Sequence, residues 1–194
     1  MIVLDRIGRM TVLAVALLTA PALAQSPGER ANGYFGLVDE VEATIVNNPD
    51  FLQALQDQND GNSVDEAQRL HKAWREMDQS VTWPIMSNPL SIDLRHMLVY
   101  YDGMISSITV LDDVGGVVAA WPKPLRYWQG DQPVFEETYQ DTRTGEFVDR
   151  VSREWVTGSL EQHVAKTLKL RGRAIGVVSI GIDIEKFSTR PRRE

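Results

Sequence analysis

The sequence predicts an α+β domain in which helices precede an antiparallel sheet. In the first half of the chain, apolar residues recur at helical spacing. After Asp102-Gly103 the apolar residues alternate with a period of two, β-branched residues are frequent, and glycines mark the turns. Helices and strands that come in two separate blocks are typical of an antiparallel sheet with helices packed on one side.

Four helical segments are predicted before the strands. Asn48-Pro49 and Asn88-Pro89 are helix start signals, because asparagine caps well and proline suits the first helical position. Ser63 to Glu66 has the pattern of a capping box. The polar stretch Gln56 to Asn62 contains a glycine and predicts a loop. The helical segments cover residues 34–45, a short second helix through Phe51, Leu52 and Leu55, residues 67–81 and residues 90–101.

Five strands are predicted in the second half. Residues 104–121 read as a hairpin around the Asp112 to Gly116 turn. The prolines between Pro122 and Pro133 predict a long ordered loop, and one helical turn is expected at Phe135 to Tyr139. The other strand candidates are Glu146 to Ser152, Glu161 to Leu170 and Ala174 to Ile184.

The composition excludes several classes of protein. The 194 residues include no cysteine, which excludes thiol catalysis, thiolate zinc sites and iron–sulfur clusters. The formal net charge is −7, whereas a protein that binds nucleic acid needs a basic face. We therefore expect no cofactor and no nucleic-acid partner.

The N-terminus predicts export. Two arginines precede the uncharged run Met10 to Ala20, and the sequence Pro-Ala-Leu-Ala follows, ending at Ala24. A basic region, an apolar stretch and a small-residue exit are typical of a Sec-type signal peptide, here cleaved after Ala24. The apolar run is shorter than the roughly 20 residues that span a bilayer.

This cleavage site divides the chain into three parts. Residues 1–24 are the predicted signal peptide, residues 25–187 form one domain, and residues 188–194 are a polar tail. No later segment is apolar for as many as 18 residues, so we expect a soluble protein in a bacterial periplasm.

The sequence contains no motif typical of an enzyme. His71, His96 and His163 lie far apart in the chain and form no metal-binding motif, and no nucleophile elbow, P-loop or dinucleotide-binding motif is present. Asp112 and Asp113 lie at the predicted hairpin turn, where aspartate is favoured by its bonds to the backbone. We therefore predict no catalytic residues and no metal site. An exported hydrolase is a hypothesis supported only by scattered carboxylates.

The segment from Trp121 to Asp131 is the strongest candidate for a binding site. It combines aromatic rings with charged side chains on a loop stiffened by proline, which is the usual composition of a small-molecule pocket. The alternative is that the aromatic rings close the end of the sheet, because aromatic residues are common in cores. The residues concerned are Trp121, Lys123, Arg126, Tyr127, Trp128 and Asp131.

Three stretches resemble the Cache (PDC-type) extracellular sensor domains. Ile108 to Trp121 contains an Asp-x-x-Gly turn between strands, Tyr127 to Asp131 reads YWQGD, and Gly172 to Asp183 is a closing strand with the pattern GxxIGxxxxGID. The resemblance covers residues 30–187 and implies a PAS-like, five-stranded antiparallel sheet preceded by long N-terminal helices. Tyr127 to Asp131 is similar to a subset of free-standing periplasmic proteins with a single Cache domain.

The resemblance implies a ligand-binding sensor for small organic acids, amino acids or similar metabolites. A stand-alone domain would signal through a separate membrane receptor or histidine kinase. We expect the aromatic rings to enclose the ligand and Arg126 or Asp131 to set its charge preference. The expected ligand-binding residues are Trp121, Arg126, Tyr127, Trp128 and Asp131, with Asp149 and Lys166 from the facing strands.

An alternative hypothesis is a protein-interaction module that binds no ligand. Such a module would use the same fold to dock on a receptor or to form a homodimer through its N-terminal helices. The continuous apolar faces of the helices at 34–45 and 67–81 support this hypothesis, although packing on the sheet explains them as well.

Overall fold

The computed structural model describes residues 27–140, 145–153 and 158–189. Five helices precede an antiparallel sheet, which confirms the predicted α+β class. The predicted signal peptide and its cleavage site after Ala24 lie outside the described residues, as does the end of the predicted tail, 190–194. Within the described ranges, we find no helix with the length and hydropathy that a membrane span requires.

Each of the four helices after the first begins at a side chain that caps it. The side chains of Asn48, Ser63, Asp78 and Asn88 accept hydrogen bonds from backbone N–H groups of the first turn, at 2.7 to 3.2 Å. These bonds pair N–H groups that a helix start leaves without a partner. The helices are α1 Pro27–Val46, α2 Pro49–Gly61, α3 Val64–Arg75, α4 Gln79–Met86 and α5 Pro89–Tyr100.

Two predicted boundaries in this half are wrong. The predicted loop at Gln56 to Asn62 is the end of α2, because the polar side chains there bond to the sheet and keep the helix in place. The Gln58 amide donates to Asp112 at 2.8 Å, and the Asn59 amide donates to the carbonyl of Ile175 at 2.9 Å. The predicted helix at 67–81 is two helices, because the chain turns at Met77 with a φ of 61° before α4 starts.

Among the described residues the sheet has six strands rather than the predicted five. Its order is β2-β1-β6-β5-β3, with β4 paired to β5 beyond this path, and the pairs are antiparallel. The single strand predicted at Glu146 to Ser152 consists of two short strands that both pair with β5. The strands are β1 Ile105–Leu111, β2 Val117–Trp121, β3 Glu146–Val148, β4 Ser152–Arg153, β5 Leu160–Leu170 and β6 Arg173–Asp183.

The two faces of the sheet are covered differently. Helices α1, α2 and α5 cover one face, and the main core lies there, with Val38, Phe51 and Ile180 fully buried. A second cluster on the other face contains Trp74 and Phe135. The described part of the chain also contains three short elements: helix α6 Pro133–Phe135, a π-helical turn Glu136–Gln140, and helix α7 Ile184–Thr189.

Candidate ligand-binding site

The segment from Trp121 to Asp131, here called the aromatic segment, is attached to the turn between β1 and β2. The backbone N–H of Gln129 donates to the carbonyl of Gly115 at 2.8 Å. The indole N–H of Trp128 donates to the carbonyl of Val114 at 2.8 Å. These bonds fix the second half of the segment on the hairpin, so the segment is an ordered wall rather than a free loop.

Two glycines make this attachment possible. Gly115 has a φ of +86°, and a Cβ on it would lie 2.5 Å from the backbone nitrogen of Gly130. A Cβ on Gly130 would lie 2.5 Å from the Nε1 atom of Trp128. Both distances are below any real Cβ contact, so only glycine at these positions lets the segment approach the turn this closely.

Helix α3 holds the other half of the aromatic segment. The indole N–H of Trp74 donates to the carbonyl of Pro124 at 2.9 Å. The ammonium of Lys123 lies 4.3 Å from the centroid of the Trp74 ring, a cation–π contact. The segment is thus held at both ends and spans the face of the sheet that lies away from α1, α2 and α5.

A cavity of about 500 Å³, here called the sheet cavity, lies between the aromatic segment and the sheet. Its floor is formed by polar side chains from three adjacent strands: Ser107 and Thr109 of β1, Ser179 of β6 and His163 of β5. Its walls are formed by residues 122–126, Gln129, residues 132–134 and Asp149.

Strand register explains why these floor residues meet. Thr109 lies directly opposite Ser179, and Ser107 and His163 both lie opposite Gly181. A Cβ on Gly181 would lie 2.5 Å from the hydroxyl oxygen of Ser107 and 3.3 Å from Cε1 of His163. The glycine therefore leaves room for both side chains, and a polar stripe crosses a sheet that is otherwise largely apolar.

The lining can donate and accept hydrogen bonds from several directions. Hydroxyl groups of serine and threonine do both, as do the amides of Gln129 and Gln132. The side chain of His163 is 40% exposed, and its Nε2 atom lies 4.0 Å from a carboxylate oxygen of Glu161. No group of three or more histidines and acids that could hold a metal ion occurs among the described residues.

Two of the predicted site residues, Arg126 and Asp149, line the sheet cavity. The guanidinium of Arg126 donates to both carboxylate oxygens of Asp131, at 2.7 and 2.9 Å, and to the carbonyl of Trp128 at 3.2 Å. Arg126 and Asp131 therefore neutralise each other and brace the aromatic segment. Asp149 lies after β3, where its backbone N–H donates to the carbonyl of His163 at 2.8 Å.

The predicted aromatic residues lie around the sheet cavity rather than in its lining. Tyr127 is 3% exposed and packs against Trp74, and burial, followed by the charge of Asp112, raises the pKa of its phenol. Trp121 lies under the guanidinium of Arg95 of α5, 5.1 Å from it, and packs against the main core. Tyr127 and Trp121 thus pack against helices and the main core, and neither lines the sheet cavity.

Lys166 lies on the opposite face of the sheet, so the expectation that it lines the pocket does not agree with its position. Its ammonium pairs with Asp39 of α1 at 2.5 Å and with Glu42 at 2.8 Å. Burial alone would lower the pKa of Lys166, but the two hydrogen bonds outweigh burial and raise it. Lys166 therefore attaches α1 to β5.

The floor residues Ser107, Thr109, His163 and Ser179 were not predicted. The signal for them is present in the sequence, because small polar residues recur at alternate positions of strands whose other positions are apolar. That pattern also describes an ordinary solvent-facing side of a sheet. Only the segment that covers this face distinguishes a cavity floor from a surface.

No family model matches the chain, and no curated protein matches it. Among solved structures it is similar to the extracellular domain of rpHK1S-Z16, described as a histidine kinase. The two sequences are 22% identical, and the TM-score is 0.44. The match covers 63% of this chain and 52% of the other. The chain is also similar to the ligand-binding domain of the Pseudomonas aeruginosa PAO1 amino acid chemoreceptor PctC in complex with GABA. That match has 14% identity and a TM-score of 0.41, and covers 80% of this chain and 62% of that one.

A third similar structure is the sensor domain of the Vibrio cholerae histidine kinase DctB, with 13% identity and a TM-score of 0.37. The match covers 80% of this chain and 59% of that one. The chain thus spans between half and two thirds of each of these three structures. These three structures are an extracellular domain, a ligand-binding domain and a sensor domain, from two histidine kinases and one chemoreceptor.

Proposed function

We propose that this chain is a sensor domain that binds a small polar metabolite in the sheet cavity. The observation that supports this proposal most is the polar stripe of Ser107, Thr109, His163 and Ser179 under an ordered wall. Small-molecule sites are concave, are formed before the ligand arrives, and contain a few polar groups that orient it. A sheet face that served only as a core would carry apolar side chains at these positions.

The charges around the sheet cavity favour a ligand that carries a carboxylate. Lys123 lines the cavity, and none of the described carboxylates pairs with its ammonium. Burial in the cavity wall lowers the pKa of Lys123 below its ordinary value. Asp149, across the cavity, would attract a positive group on the same ligand. Small organic acids and amino acids have this chemistry.

The proposed setting is a bacterial periplasm, with a membrane receptor or histidine kinase as the signalling partner. The sequence of the first 24 residues supports export. The proposal includes no catalytic step, because sensing requires only that a ligand bind and stabilise one conformation.

The alternative is an interaction module that binds no ligand and either docks on a receptor or dimerises through its N-terminal helices, and its dimerisation has less support. Two apolar faces suggested it, and on α3 both Ala67 and Trp74 are fully buried. The apolar face of α1 is buried in the same chain, with Leu37, Val41 and Ile45 at most 2% exposed. Packing against the sheet accounts for this face without a second protomer.

A thermal-shift screen over small metabolites tests the proposal. A ligand that binds only the folded state raises the melting temperature. The shift should shrink in the variants His163→Ala and Asp149→Ala. It should be unchanged in His96→Ala and Asp93→Ala, which remove the same side chains from α5. A screen without any shift, or shifts that all four variants retain, would contradict the proposal.

A further inference from the structure

A second concave surface lies beside the sheet cavity, between α3 and the aromatic segment. This surface, here called the α3 cleft, has a volume of about 390 Å³. It is open to solvent and is separate from the floor formed by the strands. The residues that line it are His71, Trp74, Arg75, Met77, Lys123, Leu125 and Arg126.

The rim of the α3 cleft carries two large exposed apolar side chains. Leu125 is 84% exposed and Met77 is 66% exposed. A single exposed apolar residue is ordinary on a protein surface. Here two of them, from different parts of the chain, line one concave surface.

The charges that line the α3 cleft have one sign. Arg75, Lys123 and Arg126 line it, and none of the described lining residues is acidic, in a chain whose net charge is −7. Arg126 is paired with Asp131. Arg75 has no carboxylate partner among the described residues, and neither has Lys123, which lies over the ring of Trp74. Neither cation is therefore neutralised by an acid of the described chain.

The acids nearest in sequence do not neutralise these cations. Glu76 and Asp78 flank Met77 but are not part of the lining. The carboxylate of Asp78 accepts hydrogen bonds from the backbone N–H of Ser80 at 2.8 Å and from its hydroxyl at 2.7 Å. It is therefore used as the cap of α4.

We propose that the α3 cleft docks an acidic segment of a partner protein that also carries an apolar side chain. The apolar side chain would lie between Met77 and Leu125, and the carboxylates would face Arg75 and Lys123. A free carboxylate or other small anion would satisfy the cations but leave the apolar rim in water. Apolar contact combined with complementary charge is usual in a specific protein interface.

The position of the α3 cleft connects docking with ligand binding. Lys123, Leu125 and Arg126 line both the cleft and the sheet cavity, so one short stretch of chain is the wall between them. A ligand that moved this wall would change the surface that the partner contacts. This connection rests on the proposed function, whereas docking itself does not require it.

Selection from a random library of displayed 12-residue peptides on the folded protein, without metabolites, tests the docking. We expect enriched peptides to combine Asp or Glu with Leu, Ile or Phe. Their binding should weaken about tenfold or more in Leu125→Ser and in Lys123→Glu. The matched controls are Val99→Ser, which removes a side chain that is 74% exposed on α5, and Lys169→Glu, an equal change of charge on β5.

Each outcome decides the proposal. Enrichment of acidic and apolar peptides that lose binding only in the two cleft variants supports it. Three results would overturn it. The enriched peptides could lack acidic residues, or their binding could weaken equally in the control variants. Free succinate could also displace the peptide with a dissociation constant similar to that of the peptide. Because Leu125 is almost fully exposed, Leu125→Ser should melt like the wild type, so lost binding would not reflect unfolding. A failed metabolite screen would leave this result unaffected and would contradict only the proposed function.

Discussion

Gly130 and Gly36 are both glycines, but their surroundings leave very different room for a side chain. A Cβ on Gly130 would lie 2.6 Å from the carbonyl oxygen of Val114, which accepts the Trp128 hydrogen bond, whereas a Cβ on Gly36 in α1 meets nothing within 4 Å. Gly130→Ala should lower the free energy of unfolding by about 1–3 kcal/mol, because the aromatic segment must move away from the turn. Gly36→Ala should raise it by about 1 kcal/mol, because alanine favours a helix.

Urea denaturation of both variants measures these changes. The pair controls for the chemistry of the substitution, since both variants add one methyl group. Equal effects of the two substitutions would contradict the close approach between the aromatic segment and the turn.

Asp112 is fully buried and accepts four hydrogen bonds. Its Oδ1 atom accepts from the N–H groups of Val114 at 3.0 Å and Gly116 at 2.7 Å, and its Oδ2 atom accepts from the amides of Gln58 at 2.8 Å and Asn62 at 2.6 Å. Asp112→Ala should lower the free energy of unfolding by about 3 kcal/mol or more, because it leaves buried hydrogen-bond donors without partners. Asp113→Ala, at the neighbouring half-buried position, is the control for stability to urea, and it should lower the free energy of unfolding far less than Asp112→Ala or not at all.

Asp113 makes stability depend on pH. Burial, and next the charge of Asp112, raises the pKa of the Asp113 carboxyl above its ordinary value of 3.8. A carboxyl whose pKa is raised by folding contributes stability at low pH that is lost as the pH rises through its pKa in the folded state. Asp113→Asn should therefore unfold at higher urea concentration than the wild type at neutral pH. The difference should disappear below pH 3.8, and a difference that grew at low pH would contradict this sign.

At the scale of elements, the helix-capping residues differ in whether they also bond to the sheet. Asn88 caps α5 by accepting from the N–H of Ser91 at 2.7 Å, and its amide also donates to the carbonyl of Val118 on the edge strand β2 at 3.3 Å. Ser63 caps α3 by accepting from the N–H of Glu66 at 3.2 Å. Loss of a helix cap lowers the free energy of unfolding by about 1 kcal/mol. Asn88→Ala should lower it more than Ser63→Ala, because it also removes the hydrogen bond to β2.

Thermal melts of the two cap variants measure this order. The reverse order would mean that the contact between Asn88 and β2 does not contribute to stability. Both residues are in helix starts that the sequence predicts, so the comparison isolates the contact with the sheet.

The same elements show how far sequence reasoning reaches. The starts of α2, α3 and α5 and the hairpin at the Asp112 turn were predicted, because capping and turn signals are local. The end of α2 was missed, because Gln58 and Asn59 hold it through bonds to residues more than 50 positions away. Helix α4 was missed because the apolar spacing continues across Met77.

The candidate site was harder to predict than the fold. Arg126 and Asp149 were placed near the ligand by sequence reasoning and do line the sheet cavity. The aromatic rings were natural candidates, but composition does not tell a ring that faces a ligand from one that supports a loop. The orientation of Lys166 depends on strand pairing and on the acids of α1, which no local pattern reports.

At the scale of the whole molecule, the two faces of the sheet have separate tasks. The face under α1, α2 and α5 carries the main core and stabilises the fold. The other face carries the polar stripe and the aromatic segment, which is held by Trp74 on one side and by the β1–β2 turn on the other. The central claim is that a small ligand binds between this second face and the segment.

A two-dimensional NMR titration of the ¹⁵N-labelled protein with a metabolite from the screen tests this claim most directly. We predict that the amide signals of Thr109, His163 and Ser179 shift with the ligand, together with those of the aromatic segment, while the signals of α1 stay in place. Shifts confined to α1 and α5, or the absence of shifts with every metabolite in the screen, would contradict the claim.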